Sequence, residues 1–384
     1  MSEYQYYEFV AVDRPLTDQE MAQLRAISSR AEITRTSFTN SYNWGNLKGD
    51  PRKMVEKYFD AFIYTANWGS HQFMLRIPRR FLDEDAVAPF CATECVDAST
   101  KGDFTILDFS TNEEDGDGES GEGCMASLIP LRAELMAGDL RCLYLGWLLC
   151  AQRGLLEDDE AEPSLPAGCP SLRESHAPLD AFANFLGIDS DLVEAAVEGL
   201  PAQSASAPSG AEVKAWIHSL SEGEKEEWLL RLADGGEPNL RLDLLKRYRE
   251  AHAEPEVGEP AERRTVGELL KLRDARADER QRLAAQKRAA DDARRARESE
   301  AERQKHLDGL VGREAALWDQ IEALIAVHQA KKYEEAVDLV RDLADLAARQ
   351  GTAADFRSRY RALRDRHSTK RSLLARLDKA GIRV

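Results

Sequence analysis

The sequence predicts an α+β protein: a small N-terminal antiparallel α/β sandwich of ferredoxin-like type, then mainly α-helical modules and a long charged helix. Three observations carry this. Residues 1–110 alternate β-branched and aromatic runs with helix-start signals. From residue 126 onward the apolar residues recur at helical spacing. Residues 262–308 are dominated by Arg, Lys, Glu, Asp, Gln and Ala and hold no proline, a composition that favours helix.

The elements follow in order. Residues 4–12, YQYYEFVAV, read as a strand. Thr17 with Glu20 makes a capping box, and Met21, Leu24 and Ile27 follow at helical spacing. Residues 31–40 alternate and read as a second strand. Asp50 caps a helix with Pro51 at its first position, and Met54, Val55, Tyr58 and Phe59 form its apolar face. AFIYTANW, a turn at Gly69 and HQFMLRIP predict a hairpin, and residues 104–110 a further strand. Helices on one face of this sheet complete the expected sandwich. An acidic, glycine-rich loop takes residues 111–125.

Residues 126–199 are expected to be helical. Pro130 opens a broadly apolar helix through about residue 153, with Gly138-Asp139 as the place where it would break. Two shorter helices fall near 178–186 and 189–198. Residues 200–210, LPAQSASAPSG, read as a linker, and residues 211–252 as a compact three-helix unit, with Ser221 and Glu224 repeating the capping-box pattern. The long helix, 262–308, would measure roughly 70 Å at 1.5 Å per residue. Its middle has only Ala on the apolar side, so charge pairs stand in for packing: Asp278–Arg282, Asp291–Arg295, Asp292–Arg295 and Glu300–Arg303, each contributing a few tenths of a kcal/mol. It reads as a spacer or a weak coiled coil through which the chain could form an oligomer. Residues 309–384 restore the apolar periodicity and predict a small helical bundle. Residues 331–346 resemble half of a tetratricopeptide hairpin, without a repeat of that length around them.

Charge is unevenly divided. Residues 261–384 carry 29 basic and 22 acidic side chains, against 23 and 47 in residues 1–260. Bulk acidity argues against non-specific nucleic-acid binding by the first 260 residues. Six cysteines, at 91, 95, 124, 142, 150 and 169, are too sparse for a disulfide scaffold. The N-terminal residues lack a basic region followed by an apolar core, so no signal peptide is expected. The longest apolar run, 143–151, is well short of the roughly 20 residues a membrane span needs. These features predict a cytoplasmic protein with reduced thiols and no membrane partner.

No motif names a reaction. Residues 116–121 match GxGxxG, but Asp115, Asp117, Glu119 and Glu122 would repel a phosphate there. The same stretch mimics a calcium loop yet places Ser120 and Ala126 where Gly and Glu belong. Cys91 and Cys95, with His71 upstream and Cys124 downstream, lack the second close pair of a zinc site. No cofactor, metal or catalytic residue is therefore assigned.

Two surfaces remain as candidates. Tyr42, Trp44, Trp68, His71, Arg76, Arg79 and Arg80 bring together the aromatic and arginine residues that mark partner-binding surfaces. Arg357, Arg359, Arg361, Arg364, Arg366, Lys370 and Arg371 form the most basic local stretch, suited to an acidic protein or to nucleic acid. The leading expectation is a non-catalytic cytosolic interaction or adaptor protein of a multi-protein assembly. The alternatives are a nucleic-acid-associated accessory factor acting through the C-terminal bundle, and an enzyme with its site in the aromatic N-terminal domain.

Overall fold

The computed structural model describes residues 4–92, 94–112, 121–165, 169–170, 172–198, 209–235, 237–252 and 263–382. The loop expected at 111–125 and the linker at 200–210 fall largely outside these. The chain divides into two compact units, 1–280 and 281–384.

In the first unit the elements run β1 (Gln5–Val10), α1 (Asp18–Ile27), β2 (Glu32–Ile33), β3 (Ser37–Tyr42), α2 (Pro51–Lys57), β4 (Ala61–Ala66), β5 (Ser70–Pro78), α3 (Glu84–Val87), β6 (Val96–Lys101) and β7 (Phe104–Asn112). Then come α4 (Cys124–Leu128), α5 (Pro130–Met136), α6 (Arg141–Gln152), α7 (Ala177–Phe185), α8 (Ser190–Glu198), α9 (Gly210–Ser219), α10 (Glu222–Asp234) and α11 (Leu240–Ala251). The fold is α+β with one antiparallel sheet, ordered β2-β3-β1-β4-β5-β7-β6. Both capping boxes form, Thr17 with Glu20 and Ser221 with Glu224, and Asp50 accepts from the Lys53 N–H ahead of α2.

The sheet is wider than the sequence suggested. The strand expected at 31–40 divides into β2 and β3. β6 was not expected at all: VDASTK is polar, and an edge strand needs no apolar face. Helices cover both faces, not one. On the first face Phe9, Phe38, Phe62, Met74 and Ile106 pack against Leu24 of α1 and Met54 and Val55 of α2. On the second, Ile63, Phe73, Leu75, Leu107 and Phe109 share a larger core with Leu131, Leu143, Trp147, Phe182 and Leu192. Strands such as AFIYTA are apolar on both sides, and each side has to be buried. The helical region after residue 126 is thus a layer on the sheet. The helix from Pro130 breaks at Gly138, whose φ of +84° ends α5 before α6 begins.

Helices α9 to α11 form where expected, but they share little core. Trp216 is their one buried apolar residue among those described, while Leu229, Leu230 and Leu232 of α10 are exposed. α11 instead attaches to the sheet layer: Asn239 Nδ2 donates to Asp13 at 3.0 Å and Arg80 pairs with Asp243 at 3.0 Å.

The long helix is α12 (Val266–Asp308), continuous as expected. Its start belongs to the first unit, where Val266 and Leu269 are buried. There the backbones of 158–162 and 264–267 pair. Glu162 accepts from Arg264 Nε at 3.0 Å and Nη2 at 2.8 Å, and from the Tyr144 hydroxyl at 2.5 Å. Residues 278–302 are exposed apart from a half-buried Asp291, which pairs with Arg294. Arg303 turns from the expected Glu300 to Asp342 and Asp345. The end of α12 lies in the second unit with α13 (Glu314–Ala326), α14 (Ala330–Gln350), α15 (Ala353–Arg366) and α16 (Arg371–Lys379). These bury one bundle core, including Leu307, Ile321, Ile325, Val340, Phe356 and Leu377. No helix among the described residues is long and apolar enough to cross a membrane.

Candidate functional site

The aromatic and arginine residues of the N-terminal domain do not form one surface. Arg76 is buried, because its strand face is covered by α2: it pairs with Asp60 at 2.9 Å, donates to the Glu56 carbonyl at 3.1 Å and lies over the Phe104 ring. His71 Nδ1 sits 2.5 Å from the Phe185 carbonyl and its ring stacks on Phe185, so it ties β5 to the end of α7. Tyr42 packs edge-on against Tyr7 and its hydroxyl accepts from Asn40. Arg80 is spent on α11, through Asp243 and the Pro238 carbonyl. Arg79, Trp44 and Trp68 stand out to solvent, the last two 71% and 41% exposed, Arg80 stays exposed while paired, and Trp44 lies under the Arg30 guanidinium.

A buried charge network lies beside Arg76. Arg132 holds Asp13 with both terminal nitrogens, at 3.0 and 2.7 Å, and comes within 3.6 Å of Asp60. Asp60 also accepts the Val12 and Asp13 N–H groups. Burial acts to raise the Asp13 carboxyl, but the bonds from Arg132 and Asn239 outweigh it and hold it low. Two arginines and two aspartates balance here with their hydrogen bonds made, which is the condition for burying charge at all. No sequence signal marked Asp13, Asp60 or Arg132 as partners, since they stand 47 to 119 residues apart.

A second polar cluster was also missed. Glu134, Asp139 and His176 place ligand-capable atoms within 4.8 Å of one another, with Cys169 Sγ at 3.7 Å from Asp139. A metal would compete there with Arg141, whose guanidinium already binds Asp139 through Nε and Nη2 and reaches His176 Nε2 at 3.3 Å. Burial pushes the Glu134 carboxyl up, and it pushes the Cys169 thiol up to about 11. A protonated thiol is a poor ligand. The donor set fits the Arg141 guanidinium better than a metal ion. Cys91 and Cys124 are half-buried thiols, and burial raises Cys91 to about 11. Cys95 is held below its ordinary value by a hydrogen bond with Cys150 and by Arg153, against its burial. Of the glycine-rich motif, only Gly121 lies among the described residues; its N–H donates to Thr65 Oγ1 at 3.1 Å, and a Cβ there would strike that side chain.

The basic stretch of the C-terminal unit separates into two groups. Arg364 pairs with Asp378 at 2.6 Å, Arg366 and His367 with Glu322 at 2.5 and 2.7 Å, and Lys370 Nζ donates to the Ile325 carbonyl at 3.1 Å. These hold the bundle together. Arg357, Arg359, Arg361 and Arg371 are exposed, and among the described residues none of the four makes an ion pair. Arg359 stands at the rim of a cleft of about 620 Å³ between α13, α14 and the start of α15, floored by Trp318, Leu343, Leu346 and Phe356. The rings of Trp318 and Phe356 lie 5.8 Å apart. The carboxyl of Glu314, on the opposite rim, is held low by its own backbone N–H first, then by the Gly312 N–H and Gln350.

No protein-family model, curated protein or solved structure matches this chain.

Proposed function

We propose that this chain is a non-catalytic interaction protein, an adaptor that presents its C-terminal bundle to a partner while the sheet unit serves as a second, separately cored module. The observation that carries the reading is the contrast between the two units' polar groups. In the first unit the charged clusters are closed on themselves: Arg76, Arg132, Arg141 and Arg264 each have a carboxylate in hand. In the second, Arg357, Arg359, Arg361 and Arg371 are left open to solvent, and Arg359 stands beside an aromatic-floored cleft. Exposed arginine next to a half-buried tryptophan, here Arg359 beside Trp318, is the composition of protein-binding hot spots. The exposed middle of α12 supports the same reading, since a helix with no buried face acts as a connector.

The test is affinity purification of the full chain from its own cells with quantitative mass spectrometry, run for wild type and for Arg357→Glu/Arg361→Glu. The reading expects a reproducible set of co-purifying proteins, part of which the charge reversal removes. A chain that brings down nothing above background in either form would contradict it. The nucleic-acid reading predicts instead salt-dependent retention of nucleic acid that the same reversal abolishes.

A further inference from the structure

One exposed face of α15 carries a row of small side chains. Ala354, Ser358 and Ala362 follow one another at four-residue spacing and line a shallow groove of about 490 Å³, bordered by Arg357, Arg361 and Asp365. Small side chains in a row let a second backbone approach closely along the ridge between them. Ser358 also lines the larger cleft above Trp318 and Phe356, so the two lie next to each other on α15. The charged side chains lining the groove and the cleft are Arg357, Arg359 and Arg361, with Glu314, Asp355 and Asp365 among them; none of the three arginines makes an ion pair among the described residues. Arg364, Arg366 and Arg376 are already paired, with Asp378, Glu322 and Glu334.

We propose that this groove binds an acidic amphipathic helix of a partner protein. The helix lies along Ala354, Ser358 and Ala362, places carboxylates against Arg357 and Arg361, and inserts one bulky apolar side chain into the Trp318–Phe356 cleft. Three features select this occupant. Arg357 and Arg361 sit one helical turn apart, about 6 Å, which matches Glu residues three or four apart on a helix lying alongside. The cleft, about 620 Å³, lies in the range of ligand-sized pockets, about 300–1,000 Å³, and so has room for a large side chain. Asp355, Asp365 and Glu314 stand among the arginines, and such interspersed acids oppose a continuous phosphate backbone while leaving room for discrete carboxylates. Helix-in-groove recognition by spaced apolar anchors is a common mode. The inference rests on the reading of the bundle as an interaction module and adds the class of partner.

The experiment uses the full chain and fluorescein-labelled synthetic peptides of about 18 residues, long enough to hold a helix. One carries a Leu/Phe stripe flanked by Glu at four-residue spacing; a second has Lys in place of each Glu. Fluorescence anisotropy is read against wild type, Arg357→Glu/Arg361→Glu and Ser358→Trp. The proposal expects the Glu peptide to bind wild type and to lose about tenfold or more in affinity on both variants. The Lys peptide should bind the charge-reversed chain in preference to wild type, a rescue that a merely unfolded variant cannot give. The proposal is overturned if the Glu peptide does not bind, if its binding ignores the substitutions, or if an oligothymidylate occupies the arginines in preference to it. If the peptide fails while co-purifying proteins still depend on Arg357 and Arg361, only the partner class falls. If nothing co-purifies, the interaction reading falls with it.

Discussion

Replacing Glu162 with Ala removes the group that fastens the start of α12 to the first unit. Glu162 is buried and takes the Arg264 N–H, Nε and Nη2 together with the Tyr144 hydroxyl. Arg264 also donates to the Ala195 and Ala196 carbonyls at 2.8 Å, so it cannot swing out to solvent without leaving those unmet. The substitution therefore strands a mostly buried guanidinium, for which about 3–5 kcal/mol is the usual cost. The Arg264 side chain retains 16% exposure, which puts the expected loss near the lower end, about 3 kcal/mol. Urea unfolding followed by tryptophan fluorescence measures it, because five of the six tryptophans lie in residues 1–280. A cycle with Arg264→Ala and the double variant should return a coupling of about 2 kcal/mol. A loss under about 0.5 kcal/mol for Glu162→Ala would refute the claim that this ion pair anchors the helix.

The same pair sets a pH dependence. Burial works to raise the Glu162 carboxyl, and the bonds from Arg264 and Tyr144 more than offset it, so its folded value lies below the ordinary one. Its contribution is present above the unfolded value of about 4.3 and is lost as pH falls through the lower folded value; the gap between wild type and Glu162→Ala should close in acid titrations of stability. Gly146→Ala should destabilise the first unit by about 1–2 kcal/mol in urea unfolding, since its Cβ would meet Val96 Cγ2 at 2.9 Å and the Phe109 ring at 3.0 Å, an overpacking only partly relieved by better helix propensity. In the second unit Asp342→Ala removes the acceptor shared by Arg303 and His306. It should lower protection of residues 303–310 in hydrogen exchange by about 2 kcal/mol, leaving protection in the first unit unchanged.

What the sequence made legible was local. Capping boxes and the proline-free helix are set by neighbouring residues, and they form as expected, while the helix expected from Pro130 to about residue 153 is two helices separated at Gly138. β6 was hidden because an edge strand of polar residues has no periodic signature. The second helical layer was hidden because a strand run apolar on both faces looks the same whether one or two layers cover it. Arg76 looked like a surface arginine, and Arg80 like an unpaired one, for a related reason: Asp60 and Asp243, which pair with them, stand 16 and 163 residues away. Leu229 and Leu232 mislead in the opposite sense, since leucines three apart after a capping box suggest a core that α10 does not have. On α15 the apolar face, Phe356, Tyr360 and Leu363, was readable, and the sorting of its cations into bundle-holding and open ones was not.

The account rests most heavily on the claim that two separately cored units share one helix whose middle packs on neither. Ala290→Pro tests this directly. Proline removes a helical hydrogen bond and clashes with the preceding turn, about 3 kcal/mol to that helix. Hydrogen exchange with mass spectrometry then reads each unit separately. Protection should fall around residue 290 while the opening free energies of residues 4–270 and 307–382 stay as in wild type. A loss of protection in both units together would show that the middle of α12 is part of their cores, and would contradict the account.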